Sequence, residues 1–402
     1  MSDGGGYFTL RLLTSLSSDV RPEDWDAMVG DESPFLEWGW LASLEEARCV
    51  GGRSGWSPQH LALFSEDERL VAACPMYLKT NSEGEFVFDW SWAEAAHRAG
   101  IDWYPKMLVG VPFTPATGLR FLVAPGIDRG SAVRTLARAL RGLCEDNGLS
   151  SVHVNFCTPD EAGVLREEGW LERRGYQFKW RNYGYDTFED WLEALRHKRR
   201  KQVRRERREL DAQGIRIEAL CGDEIPSELF EPMYRIYATT VDKHVWGRRY
   251  LTPGFFELLN ERFRRNLCFL TARRHGELVA GTFNVSKSGV LYGRYWGCFE
   301  ELRFLHFNVC YYATIEHCIR SGIGRFEPGA GGEFKWLRGF DAEPTTSMHW
   351  VRDPRLSGAV ERFLASETAE VDRVITEMHE HSQLKHDELD EPGDGTRERR
   401  GG

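Results

Sequence analysis

The sequence has no run of eighteen apolar residues, and its first sixteen residues carry neither a basic cluster nor an apolar stretch of signal-peptide length. A membrane span and a secretory leader are therefore not expected, and the implied location is cytoplasmic. Cysteine is sparse and unpaired in pattern: there are nine, with no repeated C-x-x-C spacing, and Cys74, Cys144, Cys268 and Cys310 lie inside apolar segments. Reduced, buried thiols are the expectation, and a disulfide scaffold is not. Walker A, G-x-S-x-G and H-E-x-x-H are absent, which removes the usual signatures of P-loop, hydrolase and zincin chemistry. His306 and Cys310 stand four apart on one helical segment, but no further ligand is spaced to complete a metal site. Gly329-x-Gly331 lacks the third glycine of a dinucleotide loop.

What is present describes a folded protein. Of 402 residues 41% are apolar and 28% charged, so disorder of the whole is excluded, and the length predicts two domains. The net charge of -10 argues against a general polyanion binder. It conceals a local excess, because nine of the thirteen residues from Arg196 to Arg208 are Lys or Arg. The apolar seam of this helix is narrow (Leu192, Leu195, Val203, Leu210), and like charges four apart cost stability unless anions compensate. A phosphate-rich partner met through Arg199, Arg200 and Arg204 is one reading; pairing with acids of the same chain is the other.

Leu291 to Phe340 concentrates the remaining signals. Tyr292, Arg294 and Trp296 alternate along a strand with Gly293 and Gly297, where glycine admits another backbone or a ligand. Leu305 to Arg320 predicts a buried helix, Arg325 to Glu327 a strand, and Pro328 to Gly332 a turn delivering Lys335 and Arg338 to one edge. Gly329, Gly331 and Gly332 shape that turn, and the two cations suit a phosphate or carboxylate. Upstream, Glu85 to Pro115 is dense in aromatics, with Asp89, Trp90, Tyr104 and Lys106 as polar or amphipathic members of a candidate binding surface.

The two halves share an order. ERLVAACPMYLK matches GELVAGTFNVSK in pattern, the helix and strand of 131–156 match 305–327, and FKWRN at Phe178 finds a counterpart in MHWVR at Met348. The reading is a duplication: a flexible start (1–6), units at 7–184 and 185–385, the second including a basic helix over 191–213, and a disordered polar tail (386–402). Strand, helices, antiparallel hairpin, long strand, buried helix and strand, in that order, describe the GNAT acyltransferase fold. The fold class is α/β (α+β): two tandem GNAT-like domains, each a mixed, mostly antiparallel sheet flanked by helices.

The duplication, LRHKRRKQVRRERRELDAQGI and FEPGAGGEFKWLRGF together resemble the FemAB-like proteins, relatives of the Fem aminoacyl-tRNA-dependent transferases of peptidoglycan bridges. The resemblance spans nearly all of residues 7–385, including WSPQHLALF, FVFDWSWAEAAHRAGIDWYPK, VPFTPATG and YGRYWGC. It implies transfer of an acyl or aminoacyl group to an amine. The donor would be acyl-CoA or aminoacyl-tRNA, used as substrate with no permanently bound cofactor. The acceptor would be a small molecule or peptidoglycan precursor; tRNA is a candidate partner and DNA is not. Lys335 falls in the FK-x-x-F part of the Fem pattern.

Aminolysis needs a free amine, and Asp89, Glu327 and His306 are the candidate bases. Phe299 to Phe304, where acyl-CoA enzymes of this fold carry a glycine-rich pyrophosphate loop, is acidic and glycine-free. A non-catalytic scaffold that holds RNA or a phosphorylated precursor is the alternative.

Overall fold

The computed structural model describes residues 8–243 and 249–385; the expected flexible start and polar tail lie outside the described residues. Fifteen strands occur among them. In the first half these are β1 (Thr9–Leu13), β2 (Trp56–Pro58), β3 (His60–Phe64), β4 (Leu70–Cys74), β5 (Met76–Lys79), β6 (Lys106–Val109), β7 (Leu122–Val123), β8 (Ser151–Cys157) and β9 (Leu171–Arg181). The second half adds β10 (Ile215–Cys221), β11 (Leu267–Arg274), β12 (Glu277–Lys287), β13 (Val290–Cys298), β14 (Arg325–Glu327) and β15 (Asp341–Val351). The helices are α1 (Leu16–Asp19), α2 (Pro22–Val29), α3 (Trp38–Glu46), α4 (Trp90–Arg98), α5 (Arg129–Asp146), α6 (Pro159–Glu167), α7 (Phe188–Ala194), α8 (His197–Asp211), α9 (Phe230–Asp242), α10 (Pro253–Arg262), α11 (Leu305–Phe307), α12 (Ala313–Arg320) and α13 (Pro354–Glu380).

Eleven strands form one sheet in the order β10-β11-β12-β13-β14-β9-β15-β8-β6-β5-β2, and β1-β3-β4-β7 form a second. The large sheet reads almost the same from both sides of its centre. On one side β13 runs parallel to β14, which pairs antiparallel with β9; on the other β6 runs parallel to β8, which pairs antiparallel with β15. Each half therefore lends its last strand to the other, and the two lent strands pair over nine positions, from Asp341 with Lys179 to His349 with Leu171. FKWRN and MHWVR lie on these two strands. β8, buried at every position, has the apolar density of a strand covered on both faces. The buried core is divided among clusters, one around Trp40, Phe35 and Phe283, others under α12 and under α5.

Several expectations are corrected. ERLVAACPMYLK, matched in pattern to the segment that forms the single strand β12, instead breaks at Pro75, and β4 and β5 belong to different sheets; proline has no N–H for a continuous ladder. The basic helix expected over 191–213 is two helices, because Leu195 is extended and bridges Leu384. The helix expected from Leu305 to Arg320 contains a π-helical turn over Asn308–Tyr312. Cys268 is not a free thiol but is bonded to Cys221, whereas Cys74, Cys144 and Cys310 are free. At Gly297 a Cβ would lie 1.9 Å from Ile236 O of α9, so the glycine of β13 does admit another backbone.

Candidate functional site

β13 and β14 pair only at Val290–Arg325, Leu291–Phe326 and Tyr292–Glu327. Beyond Glu327 the strand pairing stops, while β13 continues to Cys298. The turn at 328–332 rests on β13: a Cβ on Gly293 would meet Pro328 Cα at 3.3 Å. Gly329, Gly331 and Gly332 have φ of +86°, +70° and +86°, values a side chain would disfavour. These three are turn-formers first. The following 3-10 turn, Glu333–Arg338, carries Lys335 inward.

Lys335 is 3% exposed. Its ammonium donates to Gly329 O at 2.6 Å and Ala330 O at 3.3 Å, and among the described residues no carboxylate pairs with it. Burial lowers its pKa to about 8. Next to it is an aromatic enclosure in which the His306 ring lies 5.2 Å from Trp296, 5.5 Å from Tyr311 and 5.9 Å from Phe334. Burial, with the positive charges of Arg338 and Lys335, holds His306 at about 4, so its imidazole is neutral at pH 7. Cys310 also faces the lysine, and burial pushes its thiol well above the ordinary value. The π-helical turn that carries Cys310 and Tyr311 is a device frequent at functional sites.

Arg338, expected to grip the same anion, has an internal partner. Its guanidinium lies over the Phe307 ring at 3.5 Å and donates to Tyr312 Oη at 2.9 Å and to Glu206 Oε2 at 3.3 Å. Glu206, 1% exposed, belongs to the basic helix α8, which is thereby docked on the Lys335 turn. The cations of α8 divide. Arg200 pairs with Glu193, Arg204 with Glu189 and Glu193, Arg207 with Glu316, and Arg199 donates to Gln383 at 3.0 Å. Lys198, Lys201 and Arg208 are exposed along one stripe and have no ion-pair partner among the described residues.

Glu327 ends β14 with Arg325 Nε at 3.1 Å and Lys179 Nζ at 3.5 Å, so its charge is held by neighbours. Tyr292 is buried against Phe35, and Arg294 donates to Phe113 O, linking β13 to the first-half loop that covers the sheet.

Asp89 lies elsewhere, in a first-half cluster. Lys106, 0% exposed, lies 2.5 Å from Asp89 Oδ2 and 2.9 Å from Glu85 Oε2 and donates to Ser82 Oγ at 3.1 Å. Trp103 and Ser82 donate to Asp89 as well, and Tyr104 Oη meets Ser82 Oγ at 2.6 Å. Burial opposes the charge on Lys106, but Glu85 and Asp89 outweigh it and raise its pKa; burial likewise opposes ionisation of Asp89, and Lys106 outweighs that and lowers it. Lys79, 3.8 Å from Glu85, adds a second buried pair. Tyr104 also lines a cavity of about 570 Å³ with Asp102, Ser150 and Arg352. Trp90, 59% exposed and stacked on Phe88, lies on the surface and away from the buried cluster.

His153 and His349 extend this cluster. Their Nδ1 atoms are 2.7 Å apart, on paired strands, and burial holds both well below the ordinary histidine range. A histidine interrupting an apolar strand, as in SVHVNF and MHWV, is the signal that could have found them.

The FemAB-like family, described as acting in peptidoglycan biosynthesis/recognition, matches residues 16–386, and the chain belongs to it. No protein of curated function matches in sequence. Among solved structures, FemX is similar with a TM-score of 0.54 at 11% identity, over 85% of this chain and 98% of that one. The C-terminal DUF2156 domain of a proposed lysylphosphatidylglycerol synthetase from Agrobacterium fabrum gives 0.52 at 13%, over 86% and 95%. L-PGS from Bacillus licheniformis gives 0.51 at 8%, over 88% and 97%. These likenesses concern the fold, which is mixed α/β with mostly antiparallel strands flanked by helices. Among the described residues no helix is long and apolar enough to cross a membrane.

Proposed function

We propose that this FemAB-like chain transfers an acyl or aminoacyl group to an amine of a peptidoglycan precursor, and that transfer takes place beside β13, where its pairing with β14 ends and the Lys335 turn begins. One observation carries the reading: Lys335 is buried with no carboxylate partner among the described residues, and its ammonium donates to two carbonyls of a glycine turn. A buried cation lacking a counter-ion favours any negative charge that develops beside it. Attack of an amine on an ester or thioester carbonyl creates such a charge on the carbonyl oxygen, and Lys335 is suited to receive it. His306, neutral and with no hydrogen-bond partner among the described residues, accepts the proton that the amine loses as the C–N bond forms and passes it to the leaving oxygen or sulfur. Asp89 and Glu327 already neutralise cations and are less suited to this task. The units 7–184 and 185–385 would then present acceptor and donor.

The donor favoured is aminoacyl-tRNA. Glu300 and Glu301 of the segment before α11 pair with Arg274 and Lys243, leaving acidic groups where an acyl-CoA pyrophosphate would need donors. The stripe of Lys198, Lys201 and Arg208 also fits a nucleic-acid backbone. That same stripe favours the second reading, a scaffold that holds RNA or a phosphorylated precursor without turnover. Incubation with labelled aminoacyl-tRNA or acyl-CoA and an amine-bearing precursor separates them: covalent transfer, lost in Lys335→Met, supports the enzyme, whereas binding without product from either donor overturns it.

A further inference from the structure

Cys221 ends β10, the edge strand of the large sheet, and Cys268 lies opposite it near the start of β11, with Cα atoms 4.1 Å apart. A directly opposed cross-strand pair presents both side chains to one face of the sheet. α12 covers that face and brings His317 Nε2 to 3.5 Å from each sulfur. The three ligand atoms all lie within 4.8 Å of one another. On the other side of the ring, Ser321 Oγ is 3.5 Å from His317 Nδ1, and Glu224 Oε2 accepts from Cys221 N at 3.3 Å.

We propose that the reduced chain binds one zinc-class ion through Cys221, Cys268 and His317, with Glu224 or water in the fourth position, and that the Cys221–Cys268 bond is the oxidised, metal-free form of the same site. With metal–sulfur bonds of about 2.3 Å and a metal–nitrogen bond of about 2.0–2.1 Å, tetrahedral ligation places sulfur and nitrogen about 3.5 Å apart. The imidazole already stands at that separation from both sulfurs. Only the sulfurs need to part, to about 3.8 Å. Two thiolates and an imidazole, with no excess of carboxylate, are a donor set for zinc rather than for magnesium or calcium. Ser321 supplies the outer contact that orients a ligating histidine.

Interconversion balances with an organic disulfide as oxidant. Two thiolates reduce one RSSR to two RS⁻, the Cys221–Cys268 bond forms, and the ion leaves as M²⁺. The consequence is mechanical as well as chemical, because α12 also carries Glu316, the partner of Arg207 on α8. A metal at this point ties the edge strand to the helix that braces the basic element, independently of whether transfer occurs.

The test uses the full chain, reduced with a non-thiol phosphine and titrated with Co²⁺ and then Zn²⁺. One Co²⁺ per chain with a thiolate-to-cobalt charge-transfer band, displaced by Zn²⁺, is expected; treatment with oxidised glutathione should release the metal and abolish the band. His317→Gln and Cys221→Ser, both at half-buried positions, should weaken binding by more than the roughly 10–100-fold cost of losing an orienting partner. Circular dichroism confirms that each variant is folded. Absence of the band in the reduced wild type overturns the proposal, as does unchanged affinity in the folded variants. Because the readout is metal binding, it stands or falls separately from aminoacyl transfer.

Discussion

Lys106 and Lys335 are buried to nearly the same degree, at 0% and 3% exposure, yet their environments have opposite consequences. Around Lys106 two carboxylates, one of them anchored by an indole N–H, and a hydroxyl close a paired network, and its pKa rises. Around Lys335 there are carbonyl dipoles, a high-pKa thiol and aromatic rings, and its pKa falls to about 8. Burial alone therefore does not mark a functional lysine. The difference lies in whether the fold supplies the counter-charge or leaves it for a ligand. Arg338 makes the point within a single turn, since three residues from Lys335 it is neutralised by Glu206.

The sharpest way to break this comparison is to remove both charges by substitutions of similar shape. Lys106→Met leaves Asp89 buried without its cation and Glu85 with Lys79 alone, and should cost about 3–5 kcal/mol in chemical denaturation, enough to unfold a marginal protein. Lys335→Met removes a buried charge that has no carboxylate partner among the described residues, and it should leave stability equal or higher. A loss at Lys335 as large as that at Lys106 would mean both lysines are structural. In turnover the order reverses: Lys335→Met should lower kcat by about 100–1,000-fold, the scale of one lost oxyanion donor, while the folded protein still binds precursor.

A smaller, signed effect comes from pH. The folded pKa of Lys335, about 8, is below the unfolded lysine value of about 10.4. Between those values the unfolded chain binds the extra proton, so this residue makes stability rise from pH 8 upward, by a total of about 3 kcal/mol, and contributes no slope below pH 8. Lys106 has the opposite sign, because its raised pKa makes its contribution full at lower pH and lost as pH rises through the folded value. Subtracting the denaturation profile of Lys335→Met from that of the wild type isolates the first term. The wild-type profile should rise relative to the variant between pH 8 and 10, and a flat difference would place Lys335 in an ordinary solvated environment. Transfer itself should decline above pH 8 as the cation is lost.

Much of this contrast was legible along the chain, and some was not. The order strand, helix, strand, glycine turn, lysine in 291–340 reflects local chemistry, and the structure has each of those elements. The equivalence of FKWRN and MHWVR was also visible, because both strands meet the same packing demand. Their exchange between halves was hidden, since it is decided by pairing between residues about 160 apart, such as Asp341 with Lys179. Glu206 interrupts the basic run 196–208 in sequence, and it is the buried acid that docks α8 on Arg338 and Tyr312. His153 with His349 and Cys221 with Cys268 and His317 each come from separate elements, so no spacing rule could assemble them.

The smallest expected change in stability concerns the basic helix, where the same distinction between paired and unpaired charge recurs at the surface. Arg200, Arg204 and Arg207 already have acids from α7 and α12, whereas Lys198, Lys201 and Arg208 face solvent. Replacing the latter three by Gln removes no ion pair among the described residues and should shift stability by less than about 0.5 kcal/mol. If the stripe meets phosphates of an RNA donor, the same triple variant should weaken tRNA binding and flatten its log affinity against log salt plot by about 2–3 in slope. Glu193→Gln is the informative control: it frees Arg200 and Arg204 from one partner and should strengthen tRNA binding slightly. If the triple variant binds tRNA as the wild type does, with an unchanged salt slope, then the unpaired cations of α8 have only a solvated role. The absence of a counter-ion would then be informative in the buried interior alone, where water cannot supply what the fold withholds.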